Sequence, residues 1–89
     1  MKKVTVYTLN YCPYCKKAKN ILRDRNIQFE EIDVTSDEDL KTQEIKEKYK
    51  ISGMVTFPQI IIGENRVGGC SDLEQLVERN QLDELLKED

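Results

Sequence analysis

The 89-residue chain contains no histidine. That removes both the commonest general base near neutral pH and the commonest zinc ligand. Cysteine is scarce as well: there are three, an odd number and too few for a disulfide framework. No apolar run approaches the roughly 18 residues that would span a bilayer. The opening MKKVTVYTLNY has two lysines and then alternates, so it lacks the apolar centre of a secretory leader. The net charge is -3, which excludes the strongly basic footprint of a protein that binds nucleic acid or an anionic membrane. These absences set the expectation of a cytoplasmic protein with no nucleic-acid and no membrane partner. At this length the expectation is one domain, residues 1–89, with one modest core.

What is present reads as a series of alternating elements. Val4, Val6 and Tyr7 alternate with Thr5 and Thr8, a strand pattern. Asn10-Tyr11-Cys12-Pro13 follows. Proline is favoured at the first position of a helix, where its missing N–H would be unpaired anyway, so Cys12 is predicted as the N-cap. The helix should run from Pro13 to about Arg25, with Cys15, Ala18, Ile21 and Leu22 inward and lysines and arginines outward. Gln28 to Val34 reads as a second strand. Thr35 and Glu38 stand at capping-box spacing and predict a second helix ending near Lys50. Its apolar positions Leu40, Ile45 and Tyr49 make a weak stripe, and Ser52-Gly53 breaks it. Gln59-Ile60-Ile61-Ile62 is a short run rich in β-branched residues, predicted to be buried on both faces. Gly63-Glu64-Asn65 turns the chain into a brief return strand at Arg66-Val67, and Gly68-Gly69-Cys70 makes a flexible corner. Ser71 and Glu74 suggest a second capping box, opening a helix with Leu73, Leu76 and Val77 inward, and a last leucine-bearing stretch spans Leu82 to Leu86. The order β-α-β-α-β-β-α implies an α/β fold, a four-stranded mixed sheet with helices on both faces.

The chemistry is concentrated in Cys12-Pro13-Tyr14-Cys15. At a helix N-cap, free N–H groups and the helix dipole favour an anion, and a thiolate is one. Lys16 and Lys17 add positive potential. Cys12 is therefore the candidate nucleophile. Cys15, one turn in and facing the core, is the candidate resolving thiol, able to attack a mixed disulfide formed on Cys12. Two plainer readings compete. A closed zinc site needs about four ligands, against three sulfurs and no histidine here. A structural disulfide would close too short a loop to stabilise much. A strand before the pair and a helix after it, with proline at the first helical position, favour redox exchange.

With these residues in view, the sequence resembles the glutaredoxins, dithiol members of the thioredoxin-fold superfamily. Three segments match at the family's spacing: Cys12-Pro13-Tyr14-Cys15, Thr56-Phe57-Pro58 and Gly68-Gly69-Cys70-Ser71-Asp72. The element order matches over nearly the whole chain. The resemblance implies glutathione-dependent reduction of protein disulfides and glutathione mixed disulfides, with glutathione as co-substrate, no metal, disulfide-bearing or glutathionylated proteins as partners, and a monomer. It implies Cys12 as nucleophile and Cys15 as resolving thiol. It implies a glutathione site at Tyr14, Thr56, Phe57, Pro58, Gly69, Cys70, Ser71 and Asp72, with Pro58 in cis and the Thr56-Phe57 backbone paired to the bound peptide. The free N–H groups of the Ser71-Asp72 helix start can hold the γ-glutamyl α-carboxylate, and Asp72 the neighbouring ammonium. An ordinary capped helix would explain Ser71 and Glu74 unaided, as burial alone would explain a free Cys70.

Two positions depart from the family pattern. Leu9 stands where glutaredoxins usually carry a lysine, and Met54 and Val55 stand near where they often carry another basic residue. Each lost charge-assisted hydrogen bond to the glycine carboxylate is worth roughly 1.5 to 3 kcal/mol. Lys50, Gln43 or Lys46 of the second helix are the candidate substitutes, and Phe57 replaces the usual valine. The departures keep two alternatives open: a redoxin reduced by thioredoxin reductase that serves a specific protein acceptor, and an iron–sulfur carrier in which two protomers each give Cys12. Pro13-Tyr14 argues against the carrier, because cluster-binding relatives have small residues there.

Overall fold

The computed structural model describes residues 1–87. Its strands are β1 (Val4–Thr8), β2 (Glu30–Asp33), β3 (Gln59–Ile62) and β4 (Asn65–Gly68). Its helices are α1 (Pro13–Asp24), α2 (Glu38–Lys48), α3 (Cys70–Glu78) and a short α4 (Leu82–Leu86). The sheet order is β2-β1-β3-β4. β1 and β2 are parallel across the α1 crossover, and both other pairings are antiparallel. This is the four-stranded mixed sheet that the sequence predicts.

The main core lies between the sheet and the α1/α3 layer. Val4, Val6, Ile60 and Ile62 meet Ala18, Leu22, Cys70, Leu73, Leu82 and Leu86 there. Fully burying a side chain such as Leu22 or Leu73, each 0% exposed, contributes about 1.5–3 kcal/mol. On the opposite face, Tyr7 and Ile32 share a hollow with Ile45 of α2 and Tyr49, the residue that caps its end. All four residues of β3 are buried, as their apolar run predicts. α4 is fastened to the chain start by Lys2 N–H donating to Leu86 C=O at 2.8 Å.

Helices α1, α2 and α3 end alike. The residue after the cap takes a left-handed conformation, at Asn26, Lys50 and Asn80. The next N–H then reaches back to the helix: Ile27 to Leu22 C=O, Ile51 to Lys46 C=O and Gln81 to Leu76 C=O. This ending satisfies carbonyls that would otherwise be orphaned. It stops α1 at Asp24, with Arg25 as its cap.

Several local expectations are corrected. β2 is confined to Glu30–Asp33. Thr8 belongs with Val4 and Val6 on the buried face, its hydroxyl satisfied by Glu31 Oε2 at 2.8 Å. Thr35 and Glu38 form no capping box: Thr35 sits in a 3-10 turn, Thr35–Asp37, and α2 begins without a side-chain cap. Leu40 is 61% exposed, so the α2 stripe reduces to Ile45 and half-buried Tyr49. Ser71 is not a cap either. Gly69 takes that position, and its N–H donates to Asp72 Oδ2 at 2.9 Å. Gly69 has no side chain to return the bond, so only half of a capping box exists.

Candidate active site

The end of β1 runs through Leu9–Tyr11 into α1, and this short turn is tied down from outside. Asn10 N–H donates to Thr35 Oγ1 at 2.8 Å. Thr35 in turn donates both its N–H and its hydroxyl to Asp33 Oδ1. Tyr11 donates its hydroxyl to Glu38 Oε1 at 2.7 Å, which pushes the phenol pKa up. Thr35 and Glu38, freed from capping α2, thus brace the turn that presents Cys12.

Cys12 is the N-cap of α1, and Pro13 is the first helical residue. The Cys12 sulfur accepts Cys15 N–H at 3.1 Å, and its thiol donates to Phe57 C=O at 3.5 Å. It is half-buried. Cys15 is 1% exposed. Burial first, then the hydrogen bond to Cys12 and its charge, push the Cys15 pKa from an ordinary 9.0 up to about 12. A raised pKa means that folding favours the protonated thiol. That contribution is complete below about pH 9 and is lost as the pH climbs towards 12.

Cys70, 4% exposed, donates its thiol to Glu74 Oε1 at 3.6 Å. Burial chiefly, then the Glu74 charge, push its pKa up. Glu74 is also paired with Lys17 at 3.3 Å, so Lys17 is engaged there. The three free thiols therefore differ sharply in access. Iodoacetamide at neutral pH is expected to label Cys12 of the reduced protein first, with Cys15 and Cys70 labelled only after denaturation. Peptide mass mapping over time checks this order, and early labelling of Cys70 would contradict it.

Beside Cys12 runs a groove of about 620 Å³. It is lined by Tyr14 from α1, Thr56, Phe57 and Pro58 before β3, and Gly69, Cys70, Ser71 and Asp72 at the start of α3. All eight residues that the resemblance assigns to glutathione thus line one groove. The Phe57-Pro58 peptide is cis. At Gly68, φ is +118°, and any side chain would strike the Asp72 carboxylate. The groove also takes in residues that the sequence reading does not single out for it, Ile51, Gln59 and Arg66 among them. Gln59 opens an apolar strand yet is 3% exposed, and a buried polar residue in such a run is the one local signal available. None of Lys50, Gln43 and Lys46 lines the groove; the basic residue that does is Arg66.

The glutaredoxin family model matches residues 4–67. The chain belongs to the glutaredoxin family. It is 46% identical over 86 residues to glutaredoxin 1 of Rickettsia prowazekii (strain Madrid E), covering 94% of this chain and 86% of the relative. It is 40% identical over 87 residues to glutaredoxin 3 of Escherichia coli (strain K12), covering 98% of this chain and 100% of the relative. Among solved structures, a dithiolic glutaredoxin of Trypanosoma brucei brucei superposes with a TM-score of 0.82 at 36% identity, over 97% of this chain and 88% of that one. Membership of the glutaredoxin family, together with the Cys12-Cys15 dithiol motif, makes the protein a thiol-disulfide oxidoreductase. Among the described residues, no helix is long and apolar enough to cross a membrane.

Proposed function

We propose that this glutaredoxin is glutathione-dependent and cytoplasmic, acts as a monomer, and reduces glutathione mixed disulfides and protein disulfides. One observation carries the reading: the groove that gathers Tyr14, Thr56–Pro58 and Gly69–Asp72 runs beside the Cys12 sulfur. Among the described residues, Phe57 N–H has no intramolecular partner, which leaves the main chain beside Pro58 a donor for a bound peptide.

In the reaction, the Cys12 thiolate attacks one sulfur of the substrate disulfide. A Cys12 mixed disulfide forms and the other substrate sulfur leaves as a thiolate. On a glutathione mixed disulfide, attack at the glutathione sulfur leaves glutathione on Cys12. A second glutathione then attacks, releasing oxidised glutathione and restoring the Cys12 thiolate. On a protein disulfide, Cys15 attacks Cys12, the substrate leaves reduced, and two glutathiones reduce the Cys12–Cys15 disulfide.

The test is turnover of a small glutathione mixed disulfide with glutathione, glutathione reductase and NADPH. A protein disulfide with thioredoxin reductase is run in parallel. Saturable glutathione-dependent turnover is expected. Activity confined to the parallel arm would assign the protein to thioredoxin reductase instead. That second reading draws on Leu9 and Met54, where the family's usual cations are missing.

A further inference from the structure

We propose that Arg66 binds the γ-glutamyl α-carboxylate of glutathione and sets the preference for glutathione over thiols without that group. This rests on the glutathione reading above and adds to it a residue outside the three matching segments.

The argument begins with charge. The groove is lined by the carboxylates of Asp72 and Glu74, and Arg66 is the one basic side chain among the described residues lining it. Glutathione carries two carboxylates and one ammonium. Glu74 is already answered by Lys17 at 3.3 Å. Arg66 has no carboxylate partner among the described residues, so its charge is uncommitted.

The guanidinium is nevertheless held. Its Nη1 donates to Gln59 Oε1 at 3.2 Å, and Gln59 Nε2 donates to Thr56 C=O at 2.7 Å. Gln59 is buried, so this relay anchors Arg66 to the segment that leads into Pro58. Guanidinium has five N–H donors, and most remain for a ligand. The register slips between Ile60 and Ile61, next to the Ile61–Arg66 pair, and such a bulge re-aims the side chains beside it.

Position selects the carboxylate. Arg66 and Asp72 line both the groove and an adjoining hollow of about 300 Å³, so the two charges occupy the same end of the groove. The γ-glutamyl terminus bears a carboxylate and an ammonium on one carbon. Arg66 and Asp72 are the matching pair, a cation for the carboxylate and an anion for the ammonium. The glycine carboxylate, by contrast, is the group that Leu9 and Met54 leave without a cation.

The test uses pre-reduced protein in single turnover against three mixed disulfides on one reporter peptide. The tripeptides transferred to Cys12, with the peptide thiolate leaving, are glutathione, 4-aminobutyryl-cysteinyl-glycine, which lacks only the γ-glutamyl α-carboxylate, and the glycine ethyl ester of glutathione. R66Q is expected to cut the preference for glutathione over the aminobutyryl analogue roughly tenfold, the worth of one charge-assisted hydrogen bond. The preference over the ethyl ester should stay as in the unaltered protein, and R66K should recover part of the loss. These ratios are internal to each variant, so impaired folding cannot mimic the result. If R66Q keeps the full preference, or loses it against the ester instead, the assignment of Arg66 is wrong while glutathione dependence stands. Absence of glutathione turnover in the unaltered protein would defeat both.

Discussion

C12S is expected to lose turnover on glutathione mixed disulfides and on protein disulfides alike, down to the uncatalysed rate, while the fold persists. The two halves of this result have separate causes. A serine hydroxyl does not ionise near neutral pH and does not displace a thiolate from a disulfide, so no mixed disulfide forms at position 12. Structurally, serine is among the preferred N-cap residues. Its Oγ can accept the Cys15 N–H that the Cys12 sulfur accepts at 3.1 Å. The melting temperature should therefore hold or rise, which separates lost chemistry from lost structure. Neither remaining thiol can take over, because Cys15 and Cys70 are 1% and 4% exposed. Both assays run beside a thermal melt check the prediction. Turnover of C12S above background would hand the nucleophile's role to one of the buried thiols.

How far the sequence could be read depends on the range of the forces involved. The Cys12 N-cap was legible because a strand, a proline at the first helical position and a 3.6-residue apolar period are local signals. The structure bears out the start of α1 at Pro13 and the inward turn of Cys15, Ala18 and Leu22. The buried β3 was equally plain, since a run of three isoleucines has few other places to go. The helix caps were not. Thr35 and Ser71 are good caps by type, but a residue with that chemistry can bond elsewhere. Thr35 is taken by Asp33 and Asn10, contacts fixed only when β2 meets the turn after β1. At α3, the close approach of Gly68 to Asp72 draws the cap back to Gly69. The groove divides in the same way. The eight residues assigned by resemblance lie in short contiguous stretches, and they line one groove. Arg66 was not expected in that groove, because nothing around Asn65-Arg66-Val67 marks it in the sequence. Only the antiparallel pairing of β3 with β4 carries it to Gln59.

C15S is expected to separate the two reactions. Reduction of glutathione mixed disulfides should continue, since glutathione itself can attack the Cys12 adduct. Reduction of protein disulfides should stall with substrate trapped on Cys12. The reason lies in what raises the Cys15 pKa to about 12: burial first, then its hydrogen bond to Cys12, then the Cys12 charge. In the resting dithiol all three hold Cys15 protonated, so it does not compete for substrate. Once Cys12 is bonded to a substrate sulfur, Cys15, one turn along α1, is the thiol placed to attack it. Removing that thiol leaves the adduct of a folded protein substrate to an external glutathione, which must reach a half-buried sulfur. Non-reducing electrophoresis and intact mass of C15S after mixing with a protein disulfide should show the covalent complex. Equal loss of both reactions would mean that Cys15 is needed for the first attack as well, and would overturn this division of roles.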